Sequence, residues 1–307
     1  MQIRYRLIDV FAERPFSGNP VAVFTDARGL DAIMMQRVAR ELNLSRTSFV
    51  FPGAGPDGTA LVRVFSSAAE RIGPQCSTIG TAFALELDEK EPSHTAAQRV
   101  VFESETGPIS VSTFARVLTV RHVVPRLGAF YQDVDAVMAT LGLTDEDRLS
   151  GAPIQAVHGE LPFLIVPLRG QSSLKRILFR HDIWERTIRR FEAPNILAFT
   201  LETERSSSVA RLRVLLPDSG FREEPATEEA CGPLAAYLVR YGFAATESPQ
   251  LLMLEQGAEA GRPSLMHVAV ERTENEVTSV RVGGQCVHVG DGFLTPLAIP
   301  GMHRQGY

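Results

Sequence analysis

The sequence predicts an α+β fold built as two similar lobes, and three observations lead there. Short strand-like runs separated by Gly, Pro, Asn and Asp turns are spread along the whole chain, with only a few convincing helices between them. At 307 residues the chain is long enough for one large domain or two of ordinary size. A weak internal repeat matches "VRVFSSAAERIGPQCSTIGTAFALEL" to "LRVLLPDSGFREEPATEEACGPLAAYLV", each a strand, a turn-rich loop and a small-residue helix. Duplication and two look-alike common units both fit that repeat.

In order, residues 2–11 read as a strand, and "FSGNPVAVF" as a Gly-Asn-Pro turn running into a second. Asp31 is placed to cap a helix through "AIMMQRVARELN". "TSFVF" and "TALVRVF" are strands, and a helix follows Cys76 to about Asp88. "RVVFES", "PISVST" and "RVLTVRHV" are further strands. The segment Val123–Asp133, punctuated by Pro125 and Gly128, reads as the boundary. Beyond it, "VDAVMATLGL" and "HDIWERTIRRF" are helical, while "PFLIVPL", "NILAFTLE" and "ARLRVLLP" are strands. "TEEACGPLAAYLVRYG" is a helix closed by Gly242. "QLLMLEQG", "LMHVAVER", "VTSVRVG" and "QCVHVGDG" are the last strands. The expected lobes span residues 1–118, joined by the last strands at about 284–300, and residues 125–280, with a cleft between them.

Composition narrows the function. Hydrophobic residues at 44% and charged residues at 22% describe a folded globular chain. The formal net charge is -5 with no basic block, so nucleic acid is not an expected partner. No apolar run approaches a membrane span of ~20 residues, and the start lacks the apolar core of a signal peptide. Three widely spaced cysteines, Cys76, Cys231 and Cys286, argue against a disulfide framework and for a reducing cytoplasm. They lack CxxC spacing, and no HxxxH or HExxH occurs, so no metal is expected. "GPQCSTIGTAFALELDE" places Cys76 at a helix start, where backbone N–H groups hold anions and the helix dipole favours a thiolate.

Six segments, in order, carry a family resemblance: "DVFAERPFSGNPVAVF", "VARELNLSRTSFVF", "STIGTAFAL", "EEPATEEACGPLAAYLVRYG", "EQGAEAGRPS" and "VRVGGQCVHVGDG". Together they resemble the PhzF-like phenazine-biosynthesis family over nearly the whole chain. The resemblance implies a diaminopimelate epimerase-like fold: two lobes, each a mixed, mostly antiparallel sheet wrapped around a central helix, with substrate between them. It also implies cofactor-free proton movement, an isomerisation or epimerisation of a small, often amino-acid-derived molecule. No cofactor is therefore expected. The expected partner is a small-molecule substrate, with a homodimer left open.

Set beside the family motifs, several polar positions differ. Family members carry a Glu acid/base after Asn-Leu-Ser, where this chain has Arg46. Their Gly-His-Pro becomes Gln75-Cys76-Ser77, and their Asp-Pro-Ala-Thr-Gly-Ser becomes Glu224 to Glu229 with Glu at both Gly and Ser positions. Arginine stays protonated at physiological pH, so Arg46 cannot be a general base. It is read as a substrate-binding residue or as a partner for Glu224 and Glu229. Glu224 is the leading acid/base candidate, aided by Glu229, with Cys76 as a further catalytic candidate. Asn19, Gln75, Ser77, Thr78 and Gly232 complete the expected substrate-binding set. The bland alternatives are a surface arginine, a solvated Glu-Glu loop, a buried structural thiol and a structural Gly-Asn-Pro turn. Core packing is expected for Cys231 and Cys286, and His158 and His181 fall on no motif. Two functions follow. One is an isomerase of a specialised, antibiotic or phenazine-like pathway, with rewired acid/base groups. The other is a non-catalytic paralogue that binds a ligand or partner through the old cleft. Loss of the family's principal Glu favours the second, while retention of Glu224 and of both helix-start loops favours the enzyme.

Overall fold

A computed structural model describes residues 2–54, 59–71, 76–87, 98–104, 107–219, 223–244 and 248–295. Gln75, the expected helix end near Asp88 and the tail of the last strands beyond 295 lie outside them.

Four helical connections organise the molecule. A parallel strand pair needs a long crossover, whereas an antiparallel pair can be joined by a tight turn. Strands β2 (Asn19–Phe24) and β3 (Arg46–Phe51) are parallel, and α1 (Ala32–Leu42) makes the crossover. Strands β4 (Ala60–Phe65) and β6 (Gln98–Ser104) are parallel, and their connection holds the short β5 (Glu70–Arg71) and α2 (Cys76–Glu86). The later part of the chain repeats both devices. Strands β11 (Pro162–Pro167) and β12 (Asn195–Thr200) are parallel across α4 (Gln171–Arg176) and α5 (His181–Thr187). Strands β13 (Ala210–Leu215) and β14 (Gln250–Gln256) are parallel across α6 (Cys231–Arg240).

The remaining strands are β1 (Ile3–Val10), β7 (Gly107–Phe114), β8 (Val117–His122), β9 (Arg126–Phe130), β10 (Gln155–His158), β15 (Ser264–Thr273), β16 (Glu276–Gly284) and β17 (Cys286–Leu294). A further helix, α3 (Val134–Thr140), precedes β10. Pairing in the first lobe runs β17-β1-β2-β3-β4-β6-β7-β8 and in the second β9-β10-β11-β12-β13-β14-β15-β16. The sense of each successive pair is the same in both: antiparallel, antiparallel, parallel, antiparallel, parallel, antiparallel, antiparallel. An antiparallel ladder between β8 and β16, from His122↔Val280 to Leu118↔Gly284, joins the lobes. Among the described residues no pairing closes either run into a barrel.

Each sheet wraps its crossover helix. Helix α2 packs on β1, β2, β3 and β8, and α6 on β16, β15, β10 and β11. One continuous core holds residues of both, including Ile79 and Ala82 of α2 and Leu234, Tyr237 and Leu238 of α6. The outer faces are covered separately, by α1 over Phe24, Phe49 and Phe65 and by α3, α4 and α5 around Trp184. Strands with both faces covered read as unbroken apolar runs, as in "NPVAVF" and "PFLIVP". The middle of β15, by contrast, alternates buried with part-exposed or exposed positions from Met266 to Glu271.

Local signals set the helix ends. Asp31 accepts the Met34 N–H at 2.8 Å, and Asn43 ends α1 in the left-handed region at φ 50. Gly242, at φ 71, follows the last turn of α6. Within the expected boundary segment Val123–Asp133, the chain leaves β8 at His122 and starts β9 at Arg126, which pairs with β10. Gly128 is there for closeness: a Cβ would lie 2.5 Å from Glu192 Oε1. Glu228 to Ala230 form a 3-10 turn ahead of α6, so Glu228 and Glu229 precede the α-helix that they were expected to begin. Among the described residues no helix is long and apolar enough to cross a membrane.

Candidate active site

The Gly-Asn-Pro turn is fastened before it presents any side chain. Asp9 accepts the Phe16 N–H at 2.7 Å and pairs with Arg262 at 2.5 Å. Arg262, from the second lobe, also donates to the carbonyls of Ser17 and Gly18, each at 2.9 Å. Gly18 sits at φ 65, and a Cβ there would fall 2.2 Å from the Val10 carbonyl oxygen, so only glycine fits. The turn delivers Asn19, which is 1% exposed. The Asn19 amide donates to Cys76 Sγ at 3.4 Å and to the Ala226 carbonyl at 3.3 Å, and its oxygen accepts from Ser45 at 2.8 Å. One side chain thus ties together the start of α2, the loop before α6 and the residue preceding Arg46.

Arg46 opens β3 and is buried. Its guanidinium donates to the Ser45 carbonyl at 2.8 Å and to Glu224 Oε1 at 3.4 Å, and lies 4.0 Å from Glu229 Oε1. Burial opposes its charge, but Glu224, Cys76, Glu229 and Glu228 together hold it protonated more firmly than an ordinary arginine. Glu224 is held by its backbone: Gln256, from β14, donates to the Glu224 carbonyl at 3.0 Å and to Thr227 Oγ1 at 3.2 Å. The Gln256 oxygen accepts the Thr227 N–H at 3.1 Å, which fixes the loop from Glu224 to Thr227.

Three carboxyls surround Arg46, and Arg71 also draws on Glu224. Burial pushes the Glu224 carboxyl above its usual range, against the pull of Arg46. Burial, then Glu229, pushes Glu228 up much further. Glu228 is 2% exposed, and its Oε1 has no hydrogen-bond partner among the described residues. The Cys76 thiol moves the same way: burial and then Glu228 push it well up, with only Arg46 opposing. This overturns the expectation that the helix start lowers its pKa, because burial and acidic neighbours outweigh the few N–H groups. A buried, protonated thiol is a poor nucleophile.

The structure brings Asn19, Arg46, Cys76, Glu224, Glu228 and Glu229 together where the starts of α2 and α6 meet. Ser77 and Thr78 are buried in the first turn of α2, and Ser77 Oγ lacks a partner among the described residues. A Cβ on Gly232 would meet Pro125 and Val280, so this glycine lets α6 pack closely there. Cys231 is buried against Met266, 3.4 Å between sulfurs, and Cys286 lies on β17. His158, 3.5 Å from Glu192, lies away from the cluster. Glu228, an altered motif position outside the expected site set, joins the cluster, as does Gln256, which sits in a strand with no local signal of its role. A groove of about 610 Å³ reaches the cluster, lined by Asn19, Ser45, Glu224 and Pro225 with Asn43 and Arg262 at its sides.

The family model described as "Phenazine biosynthesis-like protein" matches residues 8–292. A trans-2,3-dihydro-3-hydroxyanthranilate isomerase of Pseudomonas chlororaphis is 34% identical over 295 residues, covering 94% of this chain and 98% of the relative. A PhzF-family phenazine biosynthesis protein of Bacillus anthracis superposes with a TM-score of 0.86 at 21% identity, covering 96% of this chain and 100% of that one. A structure described as a predicted epimerase of Pseudomonas aeruginosa gives a TM-score of 0.78 at 28% identity, with the same coverage. Named relatives are therefore isomerases, and the two-lobed, epimerase-like fold is shared. With a family match spanning nearly all of its length, the chain belongs to the PhzC-PhzF family of phenazine biosynthesis-like proteins.

Proposed function

We propose that this chain is a cofactor-independent isomerase that moves a proton on a small, carboxylate-bearing, amino-acid-derived metabolite, in a specialised phenazine-like or antibiotic pathway. The observation that carries the reading is Glu224: a buried carboxyl with a raised pKa, backed by Arg46 and reached by a groove. A carboxyl with a raised pKa takes up a proton more readily than an ordinary one, as a general base must. In this reading Glu224 removes a proton from a substrate carbon and delivers one to another position or face. Arg46 holds the substrate carboxylate. Its contacts to Glu224 at 3.4 Å and Glu229 at 4.0 Å are longer than the bonds of an arginine–carboxylate fork, and a substrate carboxylate competes with them. Asn19 and Gln256 keep the two helix starts in register.

A second reading has one observation in its favour. Arg46 already lies within ion-pair distance of two glutamates, so the cleft is partly self-filled. A non-catalytic paralogue binding a ligand or partner would look the same. Incubation in deuterated water separates the two. The first substrate to try is trans-2,3-dihydro-3-hydroxyanthranilate, which the Pseudomonas relative's name supplies, followed by a panel of cyclic amino acids. The isomerase incorporates deuterium at carbon, seen by NMR. Binding without incorporation across the panel supports the non-catalytic reading.

A further inference from the structure

We infer that Arg213 is a positioning residue for this site: from the outer face of the second sheet it holds Glu223 in a two-bond fork, and the fork sets where the next residue, Glu224, enters the cleft. The inference rests on the choice of Glu224 as the proton-moving group; it concerns what aims that group.

The fork draws on three parts of the chain. Arg213 stands on β13 between Leu212 and Val214, which face the core shared with α6. Successive strand residues face opposite ways, so Arg213 points to the outer face. There its Nη1 donates to the carbonyls of Leu174 and Ile177, at the end of α4, at 2.9 and 3.3 Å. Its Nε donates to Glu223 Oε1 at 2.9 Å and its Nη2 to Glu223 Oε2 at 2.7 Å. Both side chains are largely buried. Two parallel charge-assisted bonds fix direction as well as distance. Glu224 comes next and precedes Pro225, which restricts it to extended backbone. Neighbours on an extended chain point to opposite sides. With Glu223 held outward, Glu224 is turned inward, where it meets Arg46 at 3.4 Å. Gln256 holds the Glu224 carbonyl at 3.0 Å. The carboxyl thus hangs between two fixed points, the fork before it and Gln256 after it.

The first lobe carries the same device. Strand β4 holds the place in its sheet that β13 holds in the second, and Arg63, like Arg213, is the fourth residue of its strand. Arg63 grips Glu70 through Nε and Nη2, each at 2.6 Å. Glu70 pairs with Phe65, of the outer core, and Arg71 with Val64, of the inner one. Here too the gripped Glu faces out and the residue after it faces in. Arg and Glu lie 7 residues apart in the first lobe and 10 in the second. Connections of different length end in the same contact, so it is the contact that the two lobes share. Arg71, turned inward by the first fork, also draws on Glu224. Glu223 and Glu224 line the groove, and Arg213 does not, so Arg213 acts on the site through Glu223.

Carboxyl-carbon NMR on the full chain, labelled at glutamate, tests this without turnover. The Glu224 signal is assigned by its loss in Glu224→Gln and followed across pH. Burial is the largest influence on this carboxyl and holds its pKa up. Arg213→Met frees the loop and admits water, so the Glu224 pKa should fall towards the ordinary carboxylate range. Arg213→Lys keeps the charge without the fork and should move it the same way. Loss of a positive charge alone would move it up. Tyr241→Phe loses the 2.6 Å bond to Gln155 at the far end of α6, controls for lost stability, and should titrate as the wild type does. On a substrate that the wild type exchanges in deuterated water, Arg213→Met should lower kcat by about 100-fold, the cost of a misplacement of about 1 Å, with KM nearly unchanged. If Arg213→Met does not fold, Arg213→Lys and Glu223→Gln decide. A Glu224 titration that is unchanged or moved up in the fork variants, or moved as far in Tyr241→Phe, overturns the inference, and so does an unchanged kcat. A titration that depends on the fork, with no deuterium exchange on any substrate, overturns the isomerase reading and leaves the positioning role standing.

Discussion

Arg46→Met removes the positive charge that, among the described residues, lies within ion-pair distance of the buried carboxyls Glu224 and Glu229, and its cost follows from the geometry. Unit charges about 4 Å apart attract by about 4 kcal/mol at an effective dielectric of about 20. Arg46 has two such neighbours, at 3.4 and 4.0 Å. Desolvation of the guanidinium takes back several kcal/mol, so the net loss falls near the ~3–5 kcal/mol typical of a broken buried pair. Protonation sets a ceiling. A carboxyl left without its cation can take up a proton, which costs about 1.36 kcal/mol for each pH unit above its unfolded value of 4.5. That ceiling is about 4.8 kcal/mol near pH ~8 and about 1.4 kcal/mol near pH ~5.5. The variant should therefore lose about 3–4 kcal/mol near pH ~8 and about 1 kcal/mol near pH ~5.5, read from urea midpoints with an unchanged slope. The sign follows from a folded pKa that is raised and rises further without Arg46. The folded state binds more protons than the unfolded one, so stability is lost as pH climbs from the unfolded value through the folded one. Equal losses at both pH values, or a loss under about 1 kcal/mol near pH ~8, would refute the idea that Arg46 neutralises the cluster.

Two further outcomes are expected. Cys76, buried with its thiol pushed up, should react with a thiol reagent far more slowly in the folded than in the urea-unfolded chain, about 100-fold or more if access needs an opening costing about 3 kcal/mol; mass spectrometry of labelled peptides reads this, and fast native labelling would contradict it. Gly18→Ala, at φ 65 with the Val10 oxygen 2.2 Å from the new Cβ, should cost at least about 2 kcal/mol in urea unfolding and weaken ligand binding as Asn19 shifts; a neutral substitution would show that the turn does not need glycine.

Much of this architecture was legible because local and global preferences agree. Asp31 caps α1, Asn43 and Gly242 end their helices, and strands covered on both faces spell themselves out as apolar runs. The internal repeat had a visible trace because each lobe buries its crossover helix and so needs the same small-residue surface at α2 and α6. The unread elements were short or ambiguous. β9 hid behind Pro125 and Gly128, where glycine serves close packing against Glu192 and not a turn. β10 and α4 are only four and six residues long.

The site was less legible than the fold. Sequence order cannot show that Asn19, Arg46, Cys76 and Glu224 converge across two lobes; the family motifs pointed to them. Charge patterns also mislead where burial decides. "EEPATEE" reads as a solvated acidic stretch, yet Glu224, Glu228 and Glu229 are all buried. The start of α2 suggests an activated thiol, yet burial and the carboxyls around it do the opposite.

The central claim is that Glu224 moves the proton, and one comparison tests it most directly. In deuterated water, with a substrate that the wild-type chain turns over, the rate of deuterium entry at carbon is measured for Glu224→Gln and for Cys76→Ser, each checked for native folding. A positioned acid/base contributes roughly 100- to 10,000-fold. Glu224→Gln should therefore slow the exchange by that factor, and Cys76→Ser by about ten-fold or less. Exchange that survives in Glu224→Gln but is abolished in Cys76→Ser would contradict the account and hand the proton to the thiol.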